Sequence, residues 1–243
     1  MVTGASKGIG KAIATKLAEA GATIAIHYNK NVREAENLAH VLGNESSVFQ
    51  ADLSTKEGVI KLFEQVSGRY GSIEVLVNNA GLAISSPIDS SDDDWLTAWE
   101  NTMHVNLTAS ALLCKKAVNH FLSRKASGRI INITSRAAHR GDTPEYLAYA
   151  ASKAGMSSLT KTLARAYGKK GVKAFNVAPG FVRTDMAKSF ITEYGEEHAV
   201  MDLSLERLTE PKDIAPLVTF LASGMADHST GATFDLNAGS YIR

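Results

Sequence analysis

Cysteine is almost missing from this chain. Cys114 is the only one in 243 residues, so no internal disulfide can form and no thiolate cage can hold a metal. It lies in the apolar run Ala111–Cys114, which marks it as a buried, inert thiol. Excess charge is missing too. The formal net charge is +1, so no nucleic acid partner and no acidic membrane surface is expected. No apolar stretch reaches the length of a membrane span. The seven histidines show no metal-ligand spacing, so no metal site is expected. Asp92-Asp93-Asp94 reads as a helix start, where carboxylates favour the positive end, and not as a cation site. No charged leader with a cleavable apolar region opens the chain, and the expected location is cytoplasmic. No repeat and no linker rich in Pro, Gly or Ser divides it. Residues 1–243 are therefore expected to form a single domain with a full core.

What is present is alternation. Strand-like runs (Thr23–Ile26, Val48–Ala51, Ile73–Val77, Arg129–Ile133, Val172–Val177, Ala232–Leu236) are separated by amphipathic helical patterns. These run over Gly10–Ala20, Val32–Leu42, Lys56–Tyr70, Met103–Leu122, Ala148–Lys169 and Pro211–Ala222. Such alternation predicts βαβ units, hence an α/β fold: a Rossmann-type doubly wound parallel sheet in three α/β/α layers. Only Met1–Thr3 precedes the first glycine turn. A central first strand is usually about five residues long, so the expectation is a truncated strand with a few residues upstream.

Gly4-Ala5-Ser6-Lys7-Gly8-Ile9-Gly10 opens a helical pattern straight after that remnant. Glycines let backbone N–H groups approach a pyrophosphate, and a helix N-terminus adds positive potential. An ordinary glycine-rich turn is the plainer alternative. An acid near the end of the second strand would accept from a ribose 2′-hydroxyl and favour NAD. Here Tyr28 and Asn29 stand in that stretch, and Lys7 offers an ammonium to a 2′-phosphate. Both points favour NADP, with NAD possible. Further along, Tyr149 precedes Lys153 by four residues, on one helix face. An ammonium beside a phenol favours the phenolate, so the Tyr149 pKa is expected to fall from about 10. Alone, that spacing is common on protein surfaces.

Taken together, the chain resembles the short-chain dehydrogenase/reductase family. The resemblance is carried in order by Thr3–Gly10, Asp52-Leu53, Asn78-Asn79-Ala80-Gly81, Asn106, Ser135, Tyr149 with Lys153, and Pro179-Gly180 followed by Thr184, and it covers nearly the whole chain. It implies an NAD(P)-dependent carbonyl reductase or alcohol dehydrogenase. Tyr149 would be the general acid in reduction and the base in oxidation. Ser135 would hold the substrate oxygen, Lys153 the nicotinamide ribose, and Asn106 a water in a proton relay. Gly4, Ser6, Lys7, Gly8, Ile9 and Gly10 would form the phosphate loop, Tyr28 and Asn29 the second-strand end, and Asp52 and Leu53 the adenine border. Asn78, Ala80 and Gly81 would line the adenosine ribose and stabilise the central sheet, and Pro179, Gly180, Val182 and Thr184 would border the nicotinamide. A homotetramer built through two helices and the last strand is also implied.

The chain departs from the family in places. Asn237-Ala238-Gly239 replaces the usual Asp-Gly-Gly, and Asn29 stands where an arginine often selects NADP. The region of Trp95 and Trp99 looks slightly long. Within the family, reduction of a 3-oxoacyl thioester on an acyl carrier fits as well as a sugar, polyol or steroid alcohol dehydrogenase. A non-catalytic nucleotide-sensing module would carry a broken Tyr–Lys pair, and this pair is intact. Arg136 and Arg140 follow Ser135 and suggest either a pocket for an anionic or heavily hydroxylated substrate, or residues that make structural ion pairs or face solvent or a neighbouring subunit. Residues 185–210 read as a mobile substrate lid.

Overall fold

The structure, a computed structural model, describes residues 1–195 and 200–242, without the side chains of residues 188–190, 193 and 194. Among the described residues six strands form: β1 (Ala25–Tyr28), β2 (Ser47–Gln50), β3 (Val75–Asn78), β4 (Gly128–Ile133), β5 (Val172–Pro179) and β6 (Thr233–Leu236). Every pairing is parallel. β1 pairs with β2, and β3, β4, β5 and β6 pair in that order. Met1–Thr3 joins the two groups. Val2 bridges Ile26 of β1 and Val77 of β3. Its N–H donates to Ala25 O at 3.0 Å, and the Thr3 N–H donates to Val77 O at 3.0 Å. These bonds place Met1–Thr3 at the central position of the sheet, between β1 and β3.

Parallel neighbours cannot be joined by tight hairpins, so crossover helices connect them and land on both faces. These are α1 (Gly8–Glu19), α2 (Val32–Leu42), α3 (Lys56–Tyr70), α4 (Asp92–Met103), α5 (Ala109–Ser123), α6 (Ala137–Arg140), α7 (Leu147–Tyr167), α8 (Asp185–Tyr194) and α9 (Pro211–Ala222). Strand alternation divides the core in two. Val77, Ile131 and Phe175 pack with Ile13 and Leu17 of α1, Leu38 of α2 and Ile214 and Val218 of α9. Leu76, Ile130 and Ala174 face the other way, against Leu62 of α3, Leu113 and Phe121 of α5 and Leu163 of α7.

Two elements differ from the sequence reading. The strand expected at Thr23–Ile26 sits two residues later. The helix expected over Met103–Leu122 is the second half of a longer run, in which α4 and α5 join through a π-turn at His104–Thr108. Ser91 caps its start by accepting from the Asp94 N–H at 3.1 Å, which explains the aspartate run. The lid expected over 185–210 is helical at its beginning as α8, while residues 196–199 and the side chains of Phe190 and Tyr194 lie outside the described residues. Among the described residues, no helix is long and apolar enough to cross a membrane, and no cluster suits a metal ion.

Candidate active site

The phosphate-loop candidate lies where the chain leaves the central strand, between β1 and β3. This is the switch point of the sheet, where the order of the strands reverses and ligands of such folds bind. Gly4 and Gly8 hold φ of +61° and +56°, a region that glycine enters without strain. The loop is locked from three sides. Thr3 Oγ1 accepts from the N–H groups of Asn79 at 2.9 Å and Ala80 at 3.0 Å. Asn79 Nδ2 returns two bonds, to Thr3 O at 2.9 Å and Gly4 O at 3.2 Å. His27 Nδ1 accepts from the Gly4 N–H at 3.0 Å, so the other ring nitrogen carries the proton and donates to Ala51 O at 3.1 Å. Burial pushes the His27 pKa down to about 4, against weaker upward pulls from Ala51 O and Asp52. At the start of α1, Lys7 stands at the N-cap and gives no side-chain cap, which leaves the helix terminus open to an anion. Lys7 Nζ instead pairs with Asp185 Oδ2 at 3.0 Å, tying the loop to α8.

The other cofactor candidates gather at the same C-terminal edge of the sheet. Tyr28 ends β1. Asp52 follows β2 and accepts from the Ser54 N–H at 2.9 Å, which holds its carboxyl below the usual range, and Leu53 beside it is buried. Pro179 ends β5, and Gly180 packs against Asn237, since an added Cβ there would overlap the Asn237 backbone. Thr184 lies beside Gly8. Val182 bridges Thr209. Asn78 differs: its side chain turns into the sheet and donates to Asn132 Oδ1 at 2.8 Å. Asn132 sits in register with Asn78 on one side and Asn176 on the other, and Thr160 of α7 bonds both Asn132 and Asn176.

The second half of the site comes from α7, β4 and the π-turn. Tyr149 and Lys153 stand one turn apart near the start of α7, and Ser135 follows β4. Ser135 lies within hydrogen-bonding reach of the Tyr149 hydroxyl, and its Oγ accepts from the Ala137 N–H at 3.1 Å. Lys153 Nζ donates to Ile133 O at 2.9 Å and lies 5.7 Å from the Tyr149 ring centroid. Burial pushes Lys153 down to about 8. Asn106, fully buried, accepts from the Leu82 N–H at 2.7 Å and donates to Leu82 O at 2.9 Å and Ser152 Oγ at 3.0 Å. Its place in a π-turn widens the helix there, a device often found at functional sites. Gly81 is the meeting point. A Cβ on it would lie 3.2 Å from Asn106 Oδ1 and 3.4 Å from Lys153 Nζ.

One expectation is corrected. The Tyr149 pKa is raised, not lowered. Desolvation by burial is the largest cause, the Ser135 bond opposes it, and Asp142 adds to it. The Lys153 ammonium is directed at Ile133 O and does not offset that burial. The sequence reading assigned no separate role to Thr3 and Asn79, and none to His27 or Ser152, which position the others. His27 stood out only as a polar residue at an inward strand position. An open cavity of about 460 Å³ lies beyond, between Arg140–Thr143 and Ser240–Tyr241.

Known proteins resemble this chain over its length. The profile of the family described as Enoyl-(Acyl carrier protein) reductase matches residues 4–240. The 3-oxoacyl-[acyl-carrier-protein] reductase of Haemophilus influenzae is 36% identical, covering 100% of this chain and 97% of that protein. The 3beta-hydroxysteroid dehydrogenase 1 of Eggerthella lenta is 34% identical over 98% of this chain and 92% of that protein. A solved structure of a blue fluorescent protein from a metagenomic library, in complex with NADPH, is 35% identical with a TM-score of 0.89, covering 99% of this chain and 96% of that one. A putative NAD(P)-dependent gluconate 5-dehydrogenase from Beutenbergia cavernae, with bound NADP, is 30% identical with a TM-score of 0.90, covering 98% and 94%. The chain belongs to the short-chain dehydrogenase/reductase family of oxidoreductases.

Proposed function

We propose that this protein is an NADP(H)-dependent oxidoreductase that interconverts a carbonyl and a secondary alcohol. What supports the reading is Ser135 acting on the Tyr149 hydroxyl, with Lys153 one turn further along α7 and, together with Asn106, at the Gly81 gap. Residues present fit a dinucleotide. The α1 terminus is uncapped, Gly4 and Gly8 bring backbone close, and Gly81 leaves room between Asn106 and Lys153. When bound, the nicotinamide supplies or accepts the hydride. Lys153 would hold its ribose, and Val182 and Thr184 would border the nicotinamide. Lys7, with no acid at Tyr28 or Asn29, favours a 2′-phosphate. The NADPH and NADP of the two solved relatives support the same choice.

Ser135 donates to the carbonyl oxygen and steers it toward Tyr149. In reduction the Tyr149 hydroxyl gives that oxygen its proton; in oxidation the Tyr149 phenolate takes one back. The Tyr149 phenol, ordinarily near 10 and raised further by burial, is protonated at neutral pH, the form that reduction needs. Asn106 holds the Leu82 turn beside Lys153 and would fix a water that returns protons to it.

The relatives' names favour a 3-oxoacyl thioester on an acyl carrier as substrate. A second reading, a small polar or acidic substrate, is favoured by Arg136 and by the gluconate 5-dehydrogenase likeness. The family resemblance supports a cytoplasmic homotetramer built through α5, α7 and β6. Light scattering tests the assembly, and a mass near 25.9 kDa would reject it. The reaction is tested with a panel of ketones and alcohols, NADPH and NADH, followed at the nicotinamide absorbance band. Tyr149→Phe should lower kcat by about 10²–10⁴-fold while NADPH still binds. Retention of more than about a tenth of the activity would sink the role of Tyr149.

A further inference from the structure

Arg136 follows Ser135 directly, and its backbone N–H donates to Pro179 O at 2.9 Å, which pins it between the ends of β4 and β5. Its side chain is half-buried, and Nη1 is shut off from solvent with no hydrogen-bond partner. Three other arginines are paired with carboxylates. Arg129 makes a two-pronged pair with Asp227 at 2.8 and 2.9 Å, Arg207 does the same with Asp213, and Arg140 pairs with Asp202 at 3.7 Å. Among the described residues, Arg136 has no such pair. Burial and the adjacent Arg140 push its pKa down, while Asp202 and Asp142 pull it up from a distance without bonding it.

A buried donor left unmatched is costly, more so when charged, and folded proteins rarely keep one without a use. The surroundings say what the use is. Arg136 is the chain neighbour of Ser135, and Asp142 bears electrostatically on both Arg136 and Tyr149. The guanidinium fork matches the two oxygens of a carboxylate. With Arg140 paired to Asp202, one guanidinium without a carboxylate partner among the described residues suits a single negative charge better than a phosphate dianion. A carrier-linked thioester presents no anionic oxygen near its carbonyl.

We propose that Arg136 binds a carboxylate of the substrate, so that the substrate is a free oxo acid or hydroxy acid whose reacting carbon lies at Ser135 and Tyr149. The proposal rests on the oxidoreductase reading and selects its second substrate class. Arg136 is here a specificity-determining residue, placed on the wall that carries the catalytic serine.

The test uses the full-length protein with NADPH and matched probes: 2-, 3-, 4- and 5-oxo carboxylic acids and their methyl esters. At least one acid should exceed its ester about tenfold or more in kcat/KM, and Arg136→Gln should remove that gap through KM, leaving the ester unchanged. Arg136→Lys should restore part of it. Arg136→Gln should also melt no lower than the unmutated protein, because the cation removed has no partner. Equal turnover of acids and esters, or equal loss of both on Arg136→Gln, overturns the proposal. Calorimetric titration of the same probes separates the two claims. If nothing is turned over but an acid binds about tenfold tighter than its ester only when Arg136 is present, the carboxylate site stands and the reaction assignment falls. Equal binding of acid and ester overturns the site.

Discussion

The two ends of the site are built differently. At the cofactor end, Thr3, Gly4, His27 and Asn79 are interlocked by short bonds, largely to backbone atoms. At the substrate end, Arg136 keeps a shielded, unmatched nitrogen, and the surrounding groups come from loops after β4 and β5 and from the tail. The first end is a rigid cradle whose shape is fixed by glycines and main-chain geometry. The second is a set of side chains whose partners arrive with the substrate. The family can therefore share the first while varying the second.

The largest effect expected from breaking the cradle is at Gly10. A Cβ there would overlap Gly4 O and Asn79 Nδ2, both already bonded to one another. Gly10→Val should push the loop apart and weaken NADPH binding by about tenfold or more, since overpacking of this kind typically costs about 1–3 kcal/mol. Fluorescence titration of NADPH measures it, with circular dichroism confirming the fold. An unchanged dissociation constant would show that the loop yields, and that the cradle is not rigid. The matching change at the other end, Arg136→Gln, should leave NADPH binding untouched.

That contrast follows what the sequence carries. Thr3–Gly10, Asn78–Gly81 and the Tyr149–Lys153 spacing are local signals, because each function depends on residues adjacent in the chain or one helical turn apart. The fold class was legible for the same reason, through alternating periods. Asn106 was found only by resemblance, since the π-turn that sets it comes from the joining of α4 to α5, which no short pattern marks. His27 was missed because its two bonds reach Gly4 and Ala51, 23 and 24 residues away. The rise in the Tyr149 pKa was missed because burial is a property of the packed chamber; the i, i+4 neighbour alone pointed the opposite way.

His27 sharpens the comparison through pH. Its folded pKa, about 4, lies below the ordinary 6.5, so the unfolded chain takes up a proton first as pH falls. Its contribution is fully present above about pH 6.5 and is lost as pH drops toward 4, on the order of 3 kcal/mol in total. Protonation would also place an N–H on Nδ1, facing the Gly4 N–H. Urea melts of the unmutated protein and of His27→Asn at pH 7, 5.5 and 4.5 should converge as pH falls. A stability gap that stays constant over that range would remove His27 from the account.

The smallest effect lies at the far side of the substrate end, where Asn237-Ala238-Gly239 departs from the family pattern. Ala238 holds φ of +53°, in the left-handed region that a Cβ disfavours, and Gly239 follows at +75°. Glycine at 238 removes the clash but adds freedom to the unfolded chain, so the net gain from Ala238→Gly should be about 0.5–1 kcal/mol. The turn is stapled independently, by Asn237 Nδ2 donating to Tyr241 O at 2.9 Å and Ser240 Oγ to Asn237 O at 2.8 Å. Relief of strain should therefore raise the melting temperature without moving NADPH binding. Turnover of the acid probes is the discriminating readout, because Tyr241 and Ser240 line the cavity beside Arg140 and Asp142. A higher melting temperature with unchanged acid turnover would mean that the strained alanine serves only the turn. A drop in acid turnover would mean that the alanine helps hold the tail against the substrate, and would extend the side-chain-built end of the site to the last residues described.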